Sequence, residues 1–434
     1  MNVKSTASES NLMKQQKKLP PGIRRRTDGS FQIRYYVKDA HGKPERVHET
    51  VIGTLTEAKA TRLKRLGEEQ RGVHVRKSET TVREYIDEWL EKRASLVKLS
   101  RFSATTLHRY RNLTRYQIYP RIGGVRVSDV TPLMLESLYA TLEATGAVDG
   151  GPLSPTTVRQ AHNIISAALR SAVRDGILST SPASSDRLEK RPTPTKPDIK
   201  FLEPSDLERL IVAVASARKH RRFLIPVLLG GVLAMRRGEV LGLQWSDVDF
   251  ERAKLTVSRA LEEVRIPEAD RKAAEDGTAL PRYRLSFKLP KSGKKRRLAI
   301  PLHVLEELRK HRLGQKKMRL AVGPAFQDRD LVVCESDGSE WKPRSFTPAF
   351  ISTAGVLGFK DLYFHALRHT AIASLIRTGE HPKVIQEIAG HATAGFTMDR
   401  YGHVSDSLQE QAMARVNDLV LGTTVIPDAE EATG

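Results

Sequence analysis

Residues 183–200 read ASSDRLEKRPTPTKPDIK. The rings of Pro192, Pro194 and Pro197 fix φ and remove backbone donors, so neither a helix nor a sheet can run through this stretch. With its Ser, Thr and Lys content it reads as a linker, and the chain must fold as separate pieces on either side of it. At 434 residues there is room for two to four domains.

Upstream, the pattern itself changes period. Residues 1–18 are rich in Ser, Lys and Gln and read as a flexible N-terminus. Gly22-Ile-Arg-Arg-Arg followed by Asp28-Gly29 reads as a strand reaching a hairpin turn. Phe31-Gln-Ile-Arg-Tyr-Tyr-Val alternates apolar and polar residues, as a half-buried strand does. Ala40-His-Gly-Lys-Pro makes the next turn, and Arg46 to Ile52 a third strand. Thr56 then caps a helix over Glu57 to Gln70. Residues 19–75 are thus expected to form a small three-stranded sheet plus a helix. From Thr80 the spacing turns helical, with Val82, Tyr85, Ile86, Trp89 and Leu90 on one face. A second helix runs from Ser103 to about Tyr116, with Pro120-Arg-Ile-Gly-Gly ending it; Thr131-Pro132 and Ser154-Pro155 open two more, and Gly176 closes the last. The outer face of that last helix carries Arg159, Arg170 and Arg174. Residues 79–182 are expected to be a helical domain, 201–421 a larger α-rich domain with a small sheet, and 422–434 a disordered tail. The fold class is therefore multidomain and mainly α, with a sheet-plus-helix module at the N-terminus.

Charge narrows the partners. The formal net charge is +21. Residues 14–77 hold 17 Lys/Arg against 7 Asp/Glu, so roughly +10 sits in this short stretch. A diffusely solvated surface would not concentrate charge in this way; a module that meets a polyanion would. Anionic membrane is set aside because no run of about 18 apolar residues exists; the longest apolar stretch, Phe223 to Met235, is broken by Pro226 and Gly230-Gly231 and reads as a buried helix. The N-terminus has no apolar signal region, and Cys334 is the only cysteine, so no internal disulfide and no Cys-based zinc site can form. These features point to the reducing cytoplasm. No phosphate-cradling GxxxxGK[ST] loop and no HExxH metal motif is present.

What remains is a set of basic side chains in the last domain. Ala234-Met-Arg-Arg-Gly-Glu-Val-Leu-Gly-Leu-Gln-Trp-Ser-Asp puts Arg236 at a helix start, three residues before Glu239; alone, such a pair is more often a surface ion pair. Leu289-Pro-Lys-Ser-Gly-Lys-Lys-Arg-Arg reads as a hairpin with a tight turn at Ser292-Gly293 and basic residues on both arms. His365-Ala-Leu-Arg-His-Thr places His365 and Arg368 on one helical face, able to grip one phosphate. Ile388-Ala-Gly-His391 and Thr397-Met-Asp-Arg-Tyr401 complete the series.

Together these four pieces resemble the tyrosine recombinase family, the phage integrases. The family's Arg-x-x-Glu motif with its Leu-x-x-Leu-x-Trp-x-Asp run fits Arg236 to Asp247, the hairpin lysine fits Lys291, the His-x-Leu-Arg-His box gives His365 and Arg368, and the Gly-His motif gives His391 before Tyr401. The helical segment, with Leu153-Ser-Pro-Thr-Thr-Val, looks like the family's core-binding domain, and the basic N-terminal sheet like its arm-binding domain. Three features depart from the family pattern. Leu233-Ala-Met stands where the family often has Thr-Gly before the first arginine; His391 and Tyr401 are ten residues apart where nine is commoner; Glu263 to Pro281 lengthens the sheet connection with no assigned role.

The resemblance implies a site-specific DNA recombinase that cleaves and rejoins DNA through a 3′-phosphotyrosine at Tyr401. In that scheme Arg236 and Arg368 clamp the phosphate as bidentate cations. His365 and His391 donate hydrogen bonds or take the tyrosine proton, and Lys291 protonates the departing 5′ oxygen. Lys288, Lys294 and Lys295 are the competitors for that last role. No metal and no cofactor is expected, because the arginines supply the charge and the covalent link keeps the bond energy. The implied partner is double-stranded DNA carrying attachment sites, bound by a homotetramer with accessory bending and directionality proteins, in a bacterial host's cytoplasm. DNA contacts are expected from Arg24, Arg25, Arg26, Arg34, Arg159, Arg170, Arg174, Lys294 and Lys295. Two other readings stand beside this one: a type IB topoisomerase, which relaxes DNA without exchanging strands, and a DNA-binding regulator that has lost catalysis.

Overall fold

The structure is a computed structural model that describes residues 19–38, 44–70, 78–99, 101–194, 200–266, 271, 281–291, 293–390 and 413. The expected flexible N-terminus, the turn at Ala40, most of the segment 263–281, Ser292, His391, Tyr401, nearly all of residues 402–421 and the C-terminal tail lie outside the described residues. The chain divides into two compact units, Met1–Thr195 and Lys196–Gly434. The fold is mainly helical with small antiparallel sheets, as the hydrophobic periods predict. Among the described residues no helix is long and apolar enough to cross a membrane.

In the first unit, β1 (Ile23–Arg25), β2 (Phe31–Lys38) and β3 (Pro44–Val51) form an antiparallel sheet in the order β1-β2-β3. Ile23 pairs with Ile33, and Phe31 with Val51. Side chains alternate across a strand, so Ile23, Phe31, Ile33 and Tyr35 share one face and bury against Ala58 of α1 (Leu55–Gln70). That helix is capped two residues earlier than the sequence suggests. Thr54, not Thr56, forms the reciprocal box: its backbone N–H donates to Glu57 Oε2 at 2.7 Å, and Glu57 N–H donates to Thr54 Oγ1 at 3.3 Å. Both threonines precede acidic residues; only Thr54 has its acid at the third helical position, where the box closes.

The helical part of the unit contains α2 (Val82–Lys98), α3 (Ala104–Leu113), α4 (Tyr119–Ile122), α5 (Pro132–Thr145) and α6 (Pro155–Arg174). The predicted stripe Val82, Tyr85, Ile86, Trp89 and Leu90 is buried. Thr131 and Ser154 cap α5 and α6 as expected, and Gly176 takes the left-handed conformation (φ +73°) that ends α6. The second helix does not stop near Tyr116 but runs on through Pro120, and it ends within the expected segment, at Ile122 before Gly123-Gly124. Thr114–Ile118 is a π-helical turn in which Tyr119 N–H reaches back to Thr114 O, and the helix resumes through α4. The wider turn places the proline near the start of a new helical segment, where its missing N–H has no partner to lose. Residues 183–194 carry no helix or strand, yet they are packed: Ala183 and Leu188 join the core of the bundle, and Glu189 N–H donates to Glu136 Oε1 at 2.7 Å.

The second unit is built round α8 (Leu224–Gly231), every residue of which is buried. It packs on α7 (Pro204–Ser216) and on α12 (Phe364–Arg377). Phe223, Trp341, Phe346, Phe350 and Phe364 interlock edge-on and tilted in its core, the last four contributed largely by α11 (Pro343–Val356) and α12. The remaining elements are α9 (Arg237–Leu241), α10 (Leu302–Val322), α13 (Pro382–Ala389) and strands β4 (Val248–Asp249), β5 (Lys254–Val257), β6 (Ala260–Arg265), β7 (Tyr283–Lys288) and β8 (Arg296–Ala299).

The basic hairpin is drawn differently from the sequence expectation. β7 pairs with β6 and β8 pairs with β5, so the two arms around Lys291 do not pair with each other. Residues 289–291 and 293–295 carry no strand and lie on one side of a long ribbon, opposite only Ser258 and Arg259 on the other. Asp247 pins that break, accepting from Ser258 Oγ at 2.9 Å and Arg259 Nη1 at 2.7 Å. The strands that do pair across this part of the ribbon, β6 and β7, are joined by the long connection that begins after Arg265.

Candidate catalytic site

The site assembles where three elements meet the end of α13. Arg236 is the residue before α9, with extended backbone (φ −75°, ψ 151°). Its backbone N–H donates to Glu239 Oε2 at 2.8 Å and its Nη1 to Glu239 Oε1 at 2.9 Å. The glycines around this motif are there for proximity: a Cβ on Gly238 or Gly242 would come within 2.8 Å of the Leu261 backbone, so α9 lies directly on β6. The pair expected at the surface is in fact interior. Glu239 is 1% exposed and also takes Arg296 of β8, whose Nη1 and Nη2 meet its two oxygens at 2.9 and 2.7 Å. Burial alone would push the Glu239 carboxyl up; the Arg296 ion pair and the charge of Arg236 outweigh it and bring the pKa down to about 2.

Three arginines then converge on three consecutive carbonyls. Arg296 Nε donates to Ile388 O at 2.9 Å, Arg368 Nη2 to Ala389 O, and Arg236 Nη2 to Gly390 O at 2.9 Å. These are carbonyls at the C-terminus of α13, where peptide dipoles leave partial negative charge and the acceptors lack helical donors. Arg368, on α12, is 2% exposed and also donates through Nη1 to Ala234 O. Ala234 holds that carbonyl in place at φ +53°, a left-handed conformation that favours glycine, at a position where the family often carries Thr-Gly. Gly390 closes α13 in the left-handed conformation, φ +62°.

His365 is on the same helix as Arg368, exposed, with its ring edge-on to the buried His369 at 4.6 Å between centroids. Lys291 is exposed in the 289–295 loop, in a turn closed by Gly293 N–H to Pro290 O at 2.7 Å. Of its rivals, Lys288 is engaged with Glu262, while Lys294 and Lys295 are exposed further along the loop. His391 and Tyr401 follow Gly390 in the chain but lie outside the described residues. The structure thus brings Arg236 and Arg368 together and adds Arg296, which nothing in the sequence singles out among the basic residues between Lys291 and Arg297.

The expected DNA-contact residues separate by face. Arg24 and Arg34 lie on the sheet face opposite α1, with Gln32, Tyr36, Arg46, His48 and Thr50, as the pairs Arg24–Gln32, Arg34–His48 and Tyr36–Arg46 require. Arg25 is on the helix side, over the Phe31 ring, and Arg26 donates to Thr50 Oγ1 at 3.1 Å. On α6, Arg170 and Arg174 are exposed, while Arg159 is half-buried and donates to Pro192 O at 3.2 Å. Cys334 is half-buried, 3.2 Å from Gln315 Nε2, and burial raises its thiol pKa to about 11, so no ready thiolate is present.

The model of the Phage integrase family matches residues 200–407, and that of the Phage integrase SAM-like domain matches residues 81–188. A Tyrosine recombinase XerC-like protein of Caldanaerobacter subterraneus subsp. tengcongensis is 24% identical over 391 residues, covering 88% of this chain and 94% of its own length. The Integrase of Mycobacterium phage D29 is 26% identical over 344 residues, 79% of each chain. In fold, the chain is similar to the Tn1549 transposon integrase solved with transposon right end DNA (TM-score 0.60, 18% identity, 77% of this chain and 99% of that one). It is also similar to the lambda integrase dimer bound to a COC′ core site (TM-score 0.50, 16% identity, 89% and 96%). With both family models matched in chain order, the chain belongs to the phage integrase family of tyrosine site-specific recombinases.

Proposed function

We propose that this integrase cuts and rejoins double-stranded DNA through a 3′-phosphotyrosine at Tyr401. The observation that carries the reading is the meeting of Arg236, from the start of α9, and Arg368, from α12, on the adjacent carbonyls that immediately precede His391. A phosphodiester attacked by a tyrosine oxygen gathers negative charge on its non-bridging oxygens, and preorganised cations in a partly buried site stabilise that charge best. Three guanidiniums, those of Arg236, Arg296 and Arg368, stand beside the single carboxylate of Glu239, leaving two positive charges for the phosphate. Arg236 and Arg368 would exchange a carbonyl contact for a phosphate oxygen as DNA enters. His365 and His391 complete the donors, and Lys291, on its exposed loop, protonates the leaving 5′ oxygen in preference to Lys288, which Glu262 holds. Because the phosphotyrosine keeps the bond energy, rejoining requires no ATP, and the arginines do the work a metal ion does in other phosphoryl-transfer sites.

The remaining assignments follow the same reading. Residues 19–75 are the arm-type module, 79–182 the core-binding module and 201–421 the catalytic module. The open sheet face with Arg24 and Arg34 meets arm-type DNA; Arg170 and Arg174, with Lys294 and Lys295, meet core DNA through phosphates. A homotetramer on paired attachment sites, assisted by bending and directionality proteins in a bacterial cytoplasm, is the assembly we infer for this chain; the lambda integrase, similar in fold, has been solved as a dimer bound to a COC′ core site. The test is covalent trapping. Wild type and Tyr401→Phe are incubated with attachment-site DNA nicked beside the cleavage point, so that rejoining fails, and run on a denaturing gel. A shifted band in wild type that vanishes in Tyr401→Phe supports the reading. Absence of an adduct on DNA that the protein binds would leave a DNA-binding regulator instead.

A further inference from the structure

Arg296 lies within the basic stretch quoted above but carries none of the roles assigned there, and its position is unlike that of a DNA-contacting arginine. Its side chain is 9% exposed. All three of its nitrogens are engaged inside the protein: Nε with Ile388 O, Nη1 and Nη2 with the two oxygens of Glu239. It therefore ties β8 to the residue that orients Arg236 and to the end of α13. A Cβ on Gly390 would come within 3.0 Å of Arg296 Nη1, so the guanidinium lies flush against the left-handed turn that leads to His391.

We propose that Arg296 is a positioning residue for strand cleavage, which fixes Arg236 through Glu239 and fixes the end of α13, without itself touching DNA. This rests on the catalytic reading above. The fork of a guanidinium can hold a carboxylate with two nitrogens and a carbonyl with the third, whereas an ammonium is a single point of charge. The charged groups facing Glu239 are Arg236 from the start of α9 and Arg296 from β8; Arg368 of α12 is held on the neighbouring Ala234 and Ala389 carbonyls. Without Arg296 the buried carboxyl keeps one cationic partner, and burial then favours its neutral form, which would release Arg236.

The experiment uses full-length protein and the nicked attachment-site DNA, with Arg296→Met, Arg296→Lys, and Arg296→Met combined with Glu239→Gln. DNA affinity and the single-turnover rate of adduct formation at saturating DNA are measured between about pH 5.5 and 8.5, the range in which a buried, partly unpaired carboxyl titrates. Arg296→Met is expected to bind DNA as wild type does and to form adduct about 100-fold more slowly, the cost of misplacing a catalytic group by about an ångström. Its rate should fall further at the acidic end, a limb absent from wild type and from the double variant. Arg296→Lys, which keeps the charge, should fold and cleave slowly without the acidic limb. Wild-type cleavage by either single variant at saturating DNA overturns the inference. So does a defect confined to DNA affinity, which would make Arg296 a DNA contact. Should Arg296→Met not fold, the rate of Arg296→Lys decides. Tyr401→Phe runs alongside: an adduct formed by that variant breaks the catalytic reading itself, while its absence together with a fully active Arg296→Met refutes only the positioning role of Arg296.

Discussion

Replacing Glu239 by Gln keeps the shape of the side chain and removes the one carboxylate shared by Arg236 and Arg296. The magnitude follows from its pKa. Folding lowers it from 4.5 to about 2, and each pKa unit is worth about 1.4 kcal/mol, so the charged form contributes roughly 3 kcal/mol at neutral pH. Glu239 is 1% exposed, so solvent screening takes little from that figure. The sign is that of a depressed acid: the contribution is complete above the unfolded-state pKa and is lost as pH falls through the folded one. At pH 7 the Gln variant should therefore unfold with about 3 kcal/mol less stability than wild type, and at about pH 3 with roughly half that difference. Urea titration followed by tryptophan fluorescence reads this directly, because Trp245 and Trp341 report on the second unit. Equal stability of the two proteins at pH 7, or a gap that does not shrink between pH 5 and pH 3, would refute the idea that Glu239 is held as a buried, doubly paired anion.

Three further outcomes are expected. Ala234→Gly should keep wild-type adduct formation, since relief of a left-handed alanine, about 1 kcal/mol, offsets the loss of a buried methyl, about 0.8 kcal/mol; Ala234→Val, β-branched at φ +53°, should lose at least about 2 kcal/mol in thermal unfolding and most of its activity. Arg24→Ala with Arg34→Ala should weaken binding to arm-site DNA and reduce its salt slope by about one for each phosphate no longer neutralised, while cleavage of a core site is unchanged; gel shifts across a salt series measure both. Lys291→Ala should slow cleavage by about 10²- to 10⁴-fold, and a substrate with sulfur at the 5′ leaving position, which departs without a proton, should restore the rate; Lys294→Ala should show neither effect.

How far the residues themselves disclose the molecule depends on the kind of order involved. The stripe from Val82 to Leu90 and the caps at Thr131 and Ser154 are local, and the structure bears them out. Thr56 competes with Thr54 because two threonines precede the same acidic turn, and only the reciprocal hydrogen bonds separate them. The second helix reads as stopping near Tyr116, short of Pro120, because a π-turn has no composition of its own. In the site, Arg236 and Arg368 are legible through the company they keep in the sequence. The burial of Glu239 is not, since an arginine and a glutamate three apart look alike on a surface and in a core. Arg296 stays hidden because its three hydrogen bonds reach residues far away along the chain.

The loop that presents Lys291 departs from the middle of a ribbon whose two halves are fastened to different partner strands. A register shift in one half would have to break Val257–Arg296 pairing, and in the other Ala260–Lys288, so neither can slide to absorb a change in the loop between them. Insertions or deletions within 289–295 should accordingly alter how far the lysine reaches while leaving the surrounding strands where they are. The position is a natural seam for tuning reach across the DNA, or for exchanging the loop with that of a relative, without rebuilding the domain that carries it.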